Sequence, residues 1–428
     1  MNAAIVESVQ HGVTPGVLAN TYYQGEENTQ VQAFASTVEN RFNLSLPSLN
    51  FGSSSTLLFN PTEGVGDIVL TATLPARTGS RYANWAAPKS WLAAAVDNIA
   101  LRIGGSSLYY FGGDQIFIDT LSDCEDSGKK DAVAVLAGAE LKQLTDFDNE
   151  NNRTASIYIK LPFNSISSLQ KPLPLPTDCL TQPIQILITF KPATKFFFET
   201  QSAALESDLP DKFEAAQVNF KQVHLADHSK LLAERKDLNR EAYSYGLQYF
   251  TNLAFRTVQG TNGSGQTQYD ITLSGFRSGS IKWIDIWAVA ADDVDAGQPL
   301  KFTDILDARL SVNGLIYYDT QNASSQMWGL CNTKTSTSWN TSFLKQTSPT
   351  PDGNAVAEPY AAKWIRVPFA QTSEVLANEY ELVTGLPIMN SVVNLSITMP
   401  DDRRYYIAAS SHYVSSLLFS KGSCEYVF

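Results

Sequence analysis

Apolar and polar residues alternate strictly in two stretches of the chain. Gln182–Phe190 reads QPIQILITF, with Ile184, Ile186, Ile188 and Phe190 on one side and Gln185, Leu187 and Thr189 on the other. Ser391–Met399 reads SVVNLSITM, with Val393, Leu395, Ile397 and Met399 on one side and Asn394, Ser396 and Thr398 on the other. A period of two predicts a strand with one face on a core. Thr189 and Thr398 lie 209 positions apart, about half the chain.

That spacing returns elsewhere. GDIVLTATLPA begins at Gly66 and GSIKWIDIWAV at Gly279, an offset of 213. DNIALRIGGSSLYY ends at Tyr110 and DARLSVNGLIYY at Tyr318, an offset of 208. IYIKLPF ends at Phe163 and WIRVPF at Phe369, an offset of 206. Four β-like segments recur in one order at nearly one spacing, which predicts two copies of a domain of roughly 200 residues.

Residues 1–30 carry few bulky apolar side chains beyond Tyr22 and Tyr23, and read as an arm ordered only by contact with something else. Residues 31–224 form the first copy and residues 240–428 the second. Between them, LADHSKLLAERKDL places Leu225, Leu231, Leu232 and Leu238 at helical spacing with charges opposite, which predicts a connector helix over 225–239. WLAAAV, from Trp91, predicts a helical turn before IALRI, and Gly104-Gly105 a sharp turn after it. Each copy carries a polar insertion before its Pro-Phe strand. Asp119–Asn152 includes a predicted short helix, DAVAVLAGAELKQL, and Cys331–Pro359 is rich in Ser, Thr, Asn and Pro without periodicity. Both insertions are expected to leave the same end of their domains as surface loops. Many short strands, Gly, Pro and Asn turns and little helix predict an all-β chain with a sandwich or jelly roll in each copy.

Composition narrows the function. Charged residues make up 17% of the 428, against about 25% in a typical soluble protein. Charge is depleted at interface cores, so such a surface suits a protein covered by neighbours. The net charge of −12 and a first basic residue at Arg41 argue against direct binding of nucleic acid. Cys124, Cys179, Cys331 and Cys424 are scattered, without a CxxC pair. No apolar run approaches the ~18 residues of a membrane span, and MNAAIVESVQ lacks the features of a secretory signal.

Motifs for catalysis and metal binding are weak. Gly-x-Ser-x-Gly and GxxxxGK[ST] are absent. His224 and His228 stand four apart on the predicted connector helix, but Leu225 occupies the glutamate position of HExxH, and two solvated histidines are expected. Asp146, Asp148 and Glu150 alternate like the start of a calcium loop, yet Asn151 replaces its glycine and Ile157 its final glutamate. Asp292, Asp293 and Asp295 read as a solvated turn. No catalytic, cofactor or metal residue is assigned. A carbohydrate-binding or carbohydrate-active protein on a duplicated sandwich is the alternative; it requires paired acids beside an aromatic face, for which Trp283, Trp287 and Trp364 are the candidates.

The ordered segments also resemble a known family. DNIALRIGG from Asp97, IKLPF from Ile159, PLPL from Pro172 and PIQILITF from Pro183 occur in the order seen in the first half of double jelly-roll major capsid proteins. Those proteins build the icosahedral shells of double-stranded DNA viruses: nucleocytoplasmic large DNA viruses, virophages and polinton-like viruses. LSVNG from Leu310, VPFA from Val367, NLSITM from Asn394 and the closing YYIAASSHYVSSLLFSKG are similar to elements of the second half. The residues that carry the resemblance include Gly104, Gly105, Pro162, Phe163, Asn313, Gly314, Pro368 and Phe369. It implies two tandem antiparallel jelly rolls and a structural, non-catalytic virion protein. It also implies a pseudo-hexameric homotrimer as capsomer, with neighbouring capsomers and penton and minor capsid proteins as partners. An internal membrane, where one exists, is not expected to be spanned by this chain. On this reading the two insertions project outward as towers and the N-terminal arm lies inward or clasps a neighbour.

Overall fold

The computed structural model describes residues 37–59, 64–77, 84–103, 106–122, 127–142, 144–159, 180–200, 205–225, 243–259, 268–273, 280–303, 305–322, 364–369, 386–387, 391–420 and 423–427. The first half holds β1 (Thr37–Ser45), β2 (Ser54–Phe59), β3 (Gly64–Thr73), β4 (Trp85–Ala86), β5 (Val96–Ile103), β6 (Ser106–Phe111), β7 (Thr154–Ile159), β8 (Ile184–Phe190), β9 (Phe198–Glu199) and β10 (Ala215–Leu225). The second holds β11 (Tyr243–Gln259), β12 (Gln268–Leu273), β13 (Ser280–Ala290), β14 (Asp307–Val312), β15 (Leu315–Asp319), β16 (Ile365–Pro368), β17 (Leu386–Pro387), β18 (Val393–Thr398), β19 (Tyr405–Ser420) and β20 (Ser423–Val427).

The halves share one topology. In the first, β1-β10-β3-β7 form one sheet and β2-β8-β5-β6 the other. In the second, the orders are β11-β19-β13-β16 and β12-β18-β14-β15. With β4, β9, β17 and β20 set aside as short or appended, strands counted within each half run 1-8-3-6 and 2-7-4-5 in both. Pairing inside each sandwich is antiparallel. This is the jelly roll, twice. The four sequence echoes fall on matching strands: β3 with β13, the β5–β6 hairpin with β14–β15, β7 with β16, and β8 with β18.

Alternation explains why these segments are strands. In β8 every second residue, from Ile184 to Phe190, is buried, and the residues between are half-buried. In β18 the inward set is Val393, Leu395 and Ile397. Side chains on successive residues point to opposite faces, so this pattern fixes the register against the opposing sheet.

The first insertion departs from expectation. An unpredicted helix, α2 (Gly113–Ser122), starts before Asp119 and runs into the insertion; α2 comes after the buried helical turn α1 (Trp91–Ala95) and packs beside it. The next helix, α3, spans Ser127–Leu136 and ends well before the predicted Leu144. Past Gly138 the chain extends, and Leu141 and Ala87 exchange backbone hydrogen bonds at 2.9 and 3.0 Å. Two short helices, α4 (Leu144–Asp148) and α5 (Glu150–Arg153), lead into β7. Ile116, Phe117, Ile118, Leu121, Ala134 and Phe147 join the core. The insertion is thus folded down onto the sandwich, not raised as a free tower, because its apolar stripe finds a partner there. The second insertion, Cys331–Pro359, lies outside the described residues.

The connector is also corrected at its start. Leu225 is the last residue of β10, and His224 pairs with Val38 in the sheet instead of lying on a helix. Leu231, Leu232, Leu238 and His228, like residues 1–30, lie outside the described residues.

Candidate functional site

The two sandwiches meet along a seam with a backbone component. β6, the edge of one first-half sheet, lies parallel to β11, the edge of one second-half sheet, with Tyr110 opposite Asn252. The two sheets thereby become one.

Side chains close the seam. Trp287 of β13 is 1% exposed, and its Nε1 donates to Asp114 Oδ2 of α2 at 3.1 Å. Phe117 of α2 meets Phe302 edge-on, with ring centroids 6.2 Å apart. The helix that sequence reasoning missed therefore lines the seam. Lys195 reaches Asp295 at 2.7 Å, but both side chains are exposed and such a pair contributes little. A cleft of about 430 Å³ remains between the halves, lined among others by Asp97, Asp114, Lys191, Lys195, Trp287 and Tyr406.

The second half also holds a buried ion pair. Asp285 of β13 and Arg366 of β16 are register partners, and Arg366 Nε and Nη2 donate to the two carboxylate oxygens, each at 2.7 Å. Asp285 is fully buried. The guanidinium also sits 4.9 Å from the ring centre of Trp283.

The acidic cluster of the sequence is a short helix, α6 (Ala291–Asp295), and not an open turn. Asp293 accepts from Lys301 at 2.8 Å, and Asp295 is the partner of Lys195. In the loop between β18 and β19, Asp401 accepts from Arg403 and from the Tyr405 hydroxyl. Burial alone would raise the Asp401 carboxyl, but these hydrogen bonds hold it below the usual carboxylate range. Among the described residues no group of three His, Cys, Asp or Glu side chains is placed to hold a metal ion. Trp287 and Trp364 are each 1% exposed, so neither can stack on a sugar ring.

The motif residues divide. Asn313 (φ 50°) and Gly314 (φ 82°) form the two-residue turn between β14 and β15, both left-handed as a tight hairpin requires. Asn313 Oδ1 also accepts from the Val392 N–H at 2.9 Å. Pro368 ends β16 opposite Trp283, and Phe369 packs on the core and meets Tyr317 at 5.8 Å. Gly104, Gly105, Pro162 and Phe163 lie outside the described residues.

Six strands end the three large sheets among the described residues, and two of these, β15 and β1, carry exposed apolar side chains. β15 ends one second-half sheet and β1 ends one first-half sheet. On β15, Leu315, Ile316 and Tyr317 are 65, 59 and 46% exposed; on β1, Phe42 is 43% exposed.

Two jelly rolls of one topology, side by side in one chain, define the double jelly-roll fold. No protein-family model matches the sequence, and no curated protein matches it. Solved structures do match in fold. A quasi-atomic model of the PBCV-1 virus capsid aligns with a TM-score of 0.56 at 13% identity, covering 95% of this chain and 100% of that one. PBCV-1 VP54, as fitted into a reconstruction of the virophage Sputnik, gives 0.55 at 13% identity, with coverage of 95% and 100%. The Faustovirus major capsid protein gives 0.55 at 8% identity, covering 98% of this chain and 97% of that one.

Proposed function

We propose that this chain is the major structural protein of an icosahedral virus shell and assembles as a homotrimer that serves as a pseudo-hexameric capsomer. The observation that carries the reading is the pair of topologically identical sandwiches joined side by side through unlike edges, β6 to β11. Three such chains present six similar wedges around a three-fold axis, and a near-hexagonal tile packs a lattice. Several proteins that share the fold are capsid proteins. The low charge content suits a molecule whose flanks are covered by further capsomers, and by penton and minor proteins. The role is structural, without catalysis, and located in the virion; with a net charge of −12, contact with the genome is indirect.

Native mass measurement and electron microscopy of the purified chain test this. The expected result is a stable species near three times 46.9 kDa with six lobes. A monomer stabilised by sugars would replace this reading with a carbohydrate-binding one.

A further inference from the structure

Each sandwich has two flanks. One is bounded by its first and second strands, the other by its fifth and sixth. Within the chain, the fifth strand of the first sandwich (β6) lies parallel to the first strand of the second (β11). The contact is heterologous, because the two flanks differ. It therefore uses only one flank of each half. The second sandwich retains an unoccupied fifth strand, β15, and the first retains an unoccupied first strand, β1, among the described residues.

These edges carry what an isolated molecule avoids. Leu315, Ile316 and Tyr317 are consecutive and exposed on β15, and Val392, whose N–H is held by the Asn313 turn, adds a further apolar group at 51% exposure. A bare apolar edge strand is a template for pairing with another chain. Phe42 presents an aromatic ring on β1, stacked on Phe220 at 5.8 Å.

We propose that β15 of one copy pairs in parallel with β1 of a second copy, repeating between molecules the junction that β6 and β11 make within one. The occupant is a copy of this chain because the chain already shows that the first strand of its own fold fits beside the fifth. The inference rests on the trimer reading above: three junctions within chains alternate with three between chains and close a ring of six sandwiches.

The test uses the full chain with its four cysteines replaced by serine. Phe42→Cys is combined in turn with Leu315→Cys, Ile316→Cys and Tyr317→Cys, and the protein is mildly oxidised and run on non-reducing denaturing gels. At least one pairing is expected to give covalent dimers and trimers and nothing larger, with no trimer in the single variants. Separately, Leu315→Lys with Ile316→Lys alters only exposed side chains, so folding is retained; assembly is expected to weaken at least tenfold by native mass. A trimer in which no pairing cross-links, and which the lysines leave unchanged, overturns the edge pairing while the trimer reading stands. A monomeric parent chain overturns both.

Discussion

The indole Nε1 of Trp287, in the second sandwich, donates to Oδ2 of Asp114, in the first, at 3.1 Å. Both residues are buried, and Asp114 Oδ1 also accepts from the Gln115 N–H at 3.0 Å. Asp114→Ala leaves a buried indole N–H without its acceptor, which costs about 1–3 kcal/mol. The expected outcome is a loss of that size in denaturant unfolding at fixed protein concentration. Combined with Trp287→Phe, the two changes should be non-additive by about 1 kcal/mol. Additive losses would show that the bond does not couple the halves.

Gly297 and Gly314 separate backbone strain from crowding. Both have positive φ, at 78° and 82°. A Cβ on Gly297 would lie 1.7 Å from the Phe197 carbonyl oxygen across the seam, whereas one on Gly314 meets nothing within 4 Å. Gly314→Ala should cost about 1–2 kcal/mol from left-handed strain alone. Gly297→Ala adds overpacking, about 1–3 kcal/mol more, and should part the halves locally. Thermal unfolding of the two variants side by side checks the order, and equal losses would contradict the close approach.

The strands easiest to foresee cover one core on one face only. β8 and β18 show their period of two because solvent or a polar surface lies opposite. β11 was not legible as a strand, although it runs for 17 residues. Its pairing with β19 shifts register between Ser244 and Leu247 and again between Leu253 and Phe255, and each shift resets the alternation. β13 hides its period differently: Ile284 through Ala290 are all buried, since the seam covers the face that the core does not. The duplication was readable because four echoes kept their spacing. The seam was not, because no local pattern in GDQIFIDTLS says that Asp114 will meet a tryptophan 173 residues away. The open edge was equally silent: LIYY reads like LYY of the first hairpin, and only the sheet order distinguishes an occupied edge from a bare one.

Tyr318, 4% exposed on β15, carries a hydroxyl that burial pushes up to about 12. The raised value means its contribution is complete below the unfolded pKa near 10 and is lost as pH rises towards 12. At pH 11 the unfolded phenol is mostly ionised and the folded one is not, which removes roughly 1 kcal/mol of stability. Tyr318→Phe should flatten the stability profile between pH 9 and 11 by that amount, as read from unfolding midpoints at those two pH values. An identical alkaline loss in the variant would remove Tyr318 as a cause.

Asp285 and Arg366 bind each other through two hydrogen bonds of 2.7 Å with almost no exposure. Taking both charges from water costs several kcal/mol per ion, so the pair gives little net stability despite its geometry. Removing one partner is a different matter. Asp285→Ala takes the two-pronged acceptor from a buried guanidinium, and Arg366→Met takes the guanidinium from a buried carboxylate; each should cost about 3–5 kcal/mol. Replacing both together, Asp285→Leu with Arg366→Met, removes both desolvation costs and should recover most of the loss. What the double variant forfeits is alignment, since Asp285 sits opposite Arg366 and the fork admits one register of β16 on β13. The expected result is near-parental stability with faster hydrogen exchange along Ile365–Pro368. A double variant as unstable as the worse single one would mean the pair is a net source of stability after all.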